Sequence, residues 1–143
     1  MNMLDRFEQL AGGLQHPEGV TWNPFDGLLY AGGEGGEIYA VSLDGEVELL
    51  GSNGGSMLGL CVDLLGRVYA CDAGNGEIVR IDPATRVFER YARAPRGRKM
   101  DTPNVCAFDA AGFLYVTCSG EDDRPEILRV APDGRVDMPS MSL

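Results

Sequence analysis

The sequence predicts an all-β chain made of one repeated multi-stranded unit. Three observations carry this reading. The 20 glycines and 8 prolines are spread between short apolar runs and do not gather into one linker, so they mark turns. Apolar residues nowhere recur at helical spacing over a useful length. One strand, turn and strand pattern also occurs three times, as VTWNPFDGLLYAGG, LCVDLLGRVYACD and VCAFDAAGFLYVTCS.

Each unit opens with an apolar strand, turns through a polar stretch ending in glycine, and continues into a second apolar strand that carries tyrosine. The second strands, Gly-Leu-Leu-Tyr-Ala, Gly-Arg-Val-Tyr-Ala and Gly-Phe-Leu-Tyr-Val, are short and rich in β-formers, as expected where neighbours cover both faces. The third strands, EIYAVSLDG, EIVRIDPAT and EILRVAPDG, alternate more clearly, with Ile38, Val41, Ile78 and Ile81 between polar positions. Asp44-Gly45 and Asp133-Gly134 are hairpin pairs that lead into short fourth strands. The turn glycines Gly27, Gly66 and Gly112 are spaced by 39 and then 46 residues. Four short strands repeating every 40 to 50 residues, roughly, is the period of β-propeller blades. The blades are expected over about 18–52, 57–93 and 104–138.

Composition limits the function. With 143 residues, 44% hydrophobic and 24% charged, the chain has material for one domain with a real core. A net charge of −10 repels phosphate backbones and anionic lipid, so neither nucleic acid nor membrane is an expected partner. The N-terminal MNMLDRFEQL lacks a basic segment followed by an apolar core, and no apolar run is long enough to span a bilayer. The expected location is the cytoplasm. Cys61, Cys71, Cys106 and Cys118 form no CxxC pair and have one histidine, His16, in the chain, which disfavours zinc. Three of them, Cys61, Cys71 and Cys106, lie in strand-like apolar runs and read as buried reduced thiols, with a disulfide pair as the alternative. His16 reads as a turn residue. The run AGGEGGE, Ala31 to Glu37, joins two strands and does not lead into a helix, so it reads as a hairpin and not as a phosphate loop.

Within HPEGVTW, Glu18 sits between a proline and a glycine just before an apolar strand, where turn geometry does not call for glutamate. That stretch, with GLLYAGGEGGEIYAVSLDG, LGLCVDLLGRVYACD, RIDPATR and TPNVCAFDAAGFLYVTCSG, resembles the gluconolactonase and regucalcin family, the senescence-marker-protein-like lactonases. The resemblance runs from about Leu14 to Val136. The blade repeats alone also suit other propellers, including the strictosidine-synthase-like group.

The resemblance implies a six-bladed propeller with a divalent metal near its axis, calcium first and zinc or magnesium as alternatives. It implies that Glu18 is the first metal-binding glutamate and that Asn104, in TPN, lines the pocket as a metal or substrate contact. It implies metal-dependent hydrolysis of a small lactone or sugar acid derivative; a non-catalytic binding module is the alternative. Two departures stand beside Asn104: Val105 replaces an aspartate common in relatives, and Thr102 replaces an arginine. In one branch of the family Cys118-Ser119-Gly120 reads DSG.

Five of the 12 basic residues, Arg90, Arg93, Arg96, Arg98 and Lys99, fall in RYARAPRGRKM, where Arg98 is the candidate contact for a substrate carboxylate and a solvated loop is the alternative. The acidic group Glu121, Asp122 and Asp123 reads as surface. Only three passes of the repeat are present, so the family's later ligands and its catalytic base have no counterpart here. Residues 6–10 are the counterpart of the family's ring-closing strand. A half ring exposes two apolar blade faces, which leads to two expectations: a fragment of a longer product, or a homodimer that completes six blades.

Overall fold

The computed structural model describes residues 6–120 and 126–137. Among the described residues the fold is all-β, with twelve strands in three antiparallel sheets of four. The first contains β1 (Val20–Asn23), β2 (Leu28–Gly32), β3 (Glu37–Val41) and β4 (Val47–Ser52) in chain order. The second contains β5 (Met57–Val62), β6 (Val68–Asp72), β7 (Glu77–Asp82) and β8 (Val87–Ala92). The third contains β9 (Pro103–Phe108), β10 (Leu114–Cys118), β11 (Glu126–Val130) and the short β12 (Val136–Asp137). A short 3-10 turn, Pro95–Gly97, interrupts the connection from the second sheet to the third.

The sheets stack face to face, as blades do. Tyr30, Ile38 and Ala40 of the first sheet pack against Val68, Ala70, Val79 and Ile81 of the second. The opposite face of the second sheet, with Tyr69, Cys71 and Ile78, packs against Cys106, Leu114, Val116, Leu128 and Val130 of the third. Because side chains alternate across a strand, a middle sheet must be apolar on both faces. Accordingly all five residues of β6 are buried. In β10 only alternate residues are buried, since Tyr115 and Thr117 look outward from the last sheet. The innermost strands β1, β5 and β9 follow one another in contact.

A repeated lock fixes the β1–β2, β5–β6 and β9–β10 hairpins. Tyr30, Tyr69 and Tyr115 donate their hydroxyls to Asp26, Asp63 and Asp109 at 2.5, 2.8 and 3.0 Å. Each aspartate also caps turn amides: Asp63 Oδ1 accepts from Leu65 and Arg67, and Asp109 Oδ1 from Ala111 and Phe113. Gly27, Gly66 and Gly112 hold φ of 72°, 79° and 88°, a region costly for residues with a Cβ. In the first hairpin Asn23 takes the position of Asp63 and Asp109, and its buried amide donates to the Gly66 carbonyl of the next sheet at 3.0 Å.

Several local expectations need adjusting. Residues 7–10 form no strand; their partner in a closed ring would be a last blade, which these three sheets do not include. The chain there runs instead toward the first sheet, where the Gln15 amide donates to Tyr39 Oη at 3.2 Å and Leu10 meets Gly45. Cys118 belongs to β10, and Arg90 lies on β8 and not in the loop. Glu121, Asp122, Asp123 and Met138 lie outside the described residues.

Candidate functional site

Counting five residues back from the hairpin residues Asn23, Asp63 and Asp109 reaches Glu18, Leu58 and Asn104. These are equivalent positions at the entrance of the three innermost strands. The backbones are tight there: a Cβ on Gly19 would overlap the Leu58 carbonyl oxygen, and one on Gly59 would lie 2.5 Å from the Asn104 carbonyl oxygen. Glycine at 19 and 59 therefore lets successive inner strands touch, and residues 18, 58 and 104 follow one another around the same end of the molecule. The third counterpart of those glycines is Val105, which is 57% exposed.

Glu18 is exposed and borders a small pocket of about 140 Å³ with His16, Glu34, Ser56, Met57 and Leu58. His16 stands in a bend at φ 45°, its Nε2 3.9 Å from Glu34 Oε2, with both side chains largely in water. Asn104 is exposed within β9, and its Nδ2 donates to Ser119 Oγ at 3.2 Å. Glu18 and Asn104 thus share an end of the fold, with Leu58 at the equivalent place between them.

Arg98 lines a larger polar cleft of about 540 Å³ at this end, together with Gly74, Lys99, Asp101, Thr102 and Glu126. Its Nε donates to the Pro95 carbonyl at 3.4 Å. The cluster of five cations is not one patch. Arg90 and Arg93 both donate to the buried carboxylate of Glu77, at 2.6 and 3.2 Å, whereas Arg96, Arg98 and Lys99 lie exposed beyond them.

One carboxylate at this end had no sequence signal of its own. Asp72, at the end of β6, is fully buried and accepts from Asn53 Nδ2 (2.8 Å), the Ser56 amide (3.0 Å), the Asn75 amide (3.0 Å) and Asn75 Nδ2 (2.8 Å). Its oxygens are spent clamping the crossing from the first sheet to the second, as a buried charge requires. The asparagines that bracket it could have suggested the clamp, but only the fold brings Asn53 to Asp72.

Among the described residues no group of three or more His, Cys, Asp or Glu side chains converges as a metal cluster. Calcium takes about six to eight oxygen ligands. Glu18 and Asn104 supply oxygens of the right kind but too few, so the three sheets alone do not fit a complete ion shell. The four cysteines are free thiols, and burial pushes Cys118 up to about 11. Among the described residues no helix is long and apolar enough to cross a membrane.

No protein-family profile matches the chain. A gluconolactonase of Zymomonas mobilis is 28% identical over 85 residues, which is 51% of this chain and 24% of that protein. Among solved structures, a gluconolactonase of Xanthomonas campestris superposes with a TM-score of 0.76 at 22% identity, covering 88% of this chain and 47% of that one. Virginiamycin B lyase of Staphylococcus aureus gives 0.66 at 18% identity, covering 85% and 40%. A chain of a nidogen–laminin complex gives 0.71 at 20% identity, covering 86% and 47%. This chain therefore spans about a quarter of its curated relative and about half of the solved gluconolactonase. The likeness to these solved structures shows the fold: three blades of a β-propeller.

Proposed function

We propose that the chain carries the first half of a metal-dependent sugar-lactonase site. Glu18 and Asn104 present two oxygens toward a divalent ion, calcium in preference to zinc or magnesium because carboxylate and amide oxygens are hard ligands. Asn104 and Arg98 face a small lactone or sugar acid, the guanidinium drawing the substrate's negative charge. A bound ion would polarise the lactone carbonyl and acidify water. The observation that carries the reading is the repeat equivalence of positions 18, 58 and 104, which puts two polar side chains at one end of successive inner strands without any need of the fold for them.

The remaining ligands belong to the other half of a ring. A second copy, related by a two-fold along the ring axis, would bring another Glu18 and Asn104 to the same end. Val105, standing where Gly19 and Gly59 permit contact, makes that joint wider than the two internal ones. The test measures native mass and calcium content on one sample, then hydrolysis of a sugar lactone with calcium or with chelator, with Glu18→Ala as control. A dimer that binds calcium, hydrolyses the lactone and loses both properties in the variant supports the reading. Calcium-independent turnover, or a dimer with neither metal nor turnover, overturns it.

The competing class is a binding module without chemistry. It is favoured by a groove of about 440 Å³ between the second and third sheets at the hairpin end, lined by Tyr69, Tyr91, Phe108 and Pro132 and flanked by Leu64 and Leu65, which are 82% and 76% exposed. Such a module needs no ion at Glu18, and calcium dependence separates the two.

A further inference from the structure

Three of the four cysteines meet where the second and third blades join. Cys61 on β5 and Cys106 on β9 come from different sheets and are 45 positions apart, yet their sulfurs lie 3.3 Å from each other. Cys106 Sγ is also 3.8 Å from the Gly59 carbonyl oxygen, so the pair sits directly beside the tight backbone contact between Gly59 and Asn104. Cys71 on β6 is the third member and is fully buried, whereas Cys61 is partly open to solvent. We propose that Cys61 and Cys106 form a thiol–disulfide exchange site, in which a low-molecular-weight disulfide such as oxidised glutathione converts the pair into a covalent tie between blades two and three.

The chemistry balances with that oxidant. The Cys61 thiolate attacks one sulfur of the small disulfide, forms a mixed disulfide and releases one thiol, which takes up the proton Cys61 gave up. Cys106, as thiolate, attacks Cys61 Sγ, breaks the mixed disulfide and releases the second thiol with the second proton. Two protein thiols are oxidised, one small disulfide is reduced to two thiols, and no other reagent is needed.

Access and position assign the order, because Cys61 is the member that solvent reaches and Cys106 is in contact with it. Cys106, buried against Cys61, is the resolving member because its sulfur is already beside the one to be attacked. The sulfurs need to close from 3.3 Å to roughly 2.05 Å, between strands already touching. Because Asn104 is two residues from Cys106, the tie fixes the spacing at the entrance of the two inner strands.

The experiment equilibrates the whole chain with oxidised and reduced glutathione, blocks remaining thiols, and reads intact mass, cross-linked peptides and thermal midpoint. Wild type and Cys71→Ser are expected to lose two hydrogens, yield a Cys61–Cys106 peptide, and gain on the order of 10 °C, since the tie closes a long loop. Cys61→Ser and Cys106→Ser are expected to show none of these; Cys61→Ala, at a partly exposed position, checks that loss of the tie is not loss of folding. No cross-link in folded wild type, or one that joins Cys61 to Cys71, overturns the proposal. These readouts do not involve calcium or lactone, so the outcome is independent of the lactonase reading.

Discussion

The two ends of the sheets follow different rules. At the hairpin end, Tyr30, Tyr69 and Tyr115 each donate to an aspartate; Asp63 and Asp109 cap their turns alike, and in the first blade Asn23 and Asp26 share that role. At the entrance end, the equivalent positions 18, 58 and 104 hold glutamate, leucine and asparagine, no two alike, beside a backbone so tight that positions 19 and 59 are glycine. A side chain that the fold requires recurs with the fold. One that varies among equivalent positions is released from that requirement and is free to serve a site. Neighbours 18 and 19 show the contrast within one dipeptide: packing dictates Gly19, and nothing in the packing dictates Glu18.

That contrast can be broken by substitutions of decreasing effect. Gly19→Ala forces a methyl group onto the Leu58 carbonyl and is expected to cost about 3 kcal/mol in urea unfolding, whereas Val105→Ala, at the open edge, costs less than about 1 kcal/mol. Equal costs would mean that the entrance contact is not tight. Asp63→Asn disrupts a carboxylate that accepts from Tyr69, from Arg67 through both its amide and its guanidinium, and from Leu65, and is expected to cost about 2 kcal/mol at neutral pH.

The Asp63 effect has a signed pH dependence. Burial pushes the carboxyl up, but the hydrogen bonds from Tyr69, Arg67 and Leu65 outweigh it and hold the group below the ordinary aspartate value. A depressed folded-state value stabilises fully above the unfolded value, roughly 3.9, and that stabilisation is lost as pH falls through the folded value. The gap between wild type and Asp63→Asn should therefore be widest above about pH 4 and close in more acid solution. A gap that stays constant down to low pH would remove charge from the lock.

Away from both ends, Arg86 on the turn before β8 pairs with Glu48 on β4, and both are exposed. Arg86→Ala is expected to cost about 0.5 kcal/mol and less in high salt, which sets the baseline for an ordinary surface charge. Glu18→Ala should change unfolding by no more than about 0.5 kcal/mol while it abolishes calcium uptake. A Glu18 variant that unfolds as readily as Gly19→Ala would make the glutamate structural and dissolve the distinction between the two ends.

Much of this was legible along the chain. Strand periodicity, the turn glycines and the hairpin pairs are local, because a turn is closed by residues a few positions apart and its glycine holds positive φ wherever it sits. The equivalence of residues 18, 58 and 104 could also be counted from the repeats. The loop Arg90 to Met100 read as one basic concentration, and the fold divides it: Arg90 and Arg93 turn to the buried Glu77, while Arg98 remains at a cleft.

The sequence by itself determined the blades, because a blade is a meander whose pairings join neighbouring strands through short turns. Tertiary structure alone decided which side chains meet across a joint. Asp72 finds Asn53, Asn23 reaches Gly66 and Cys61 touches Cys106, partners 19 to 45 positions apart. No local pattern marks such pairs, because they depend on how two finished sheets rest against each other.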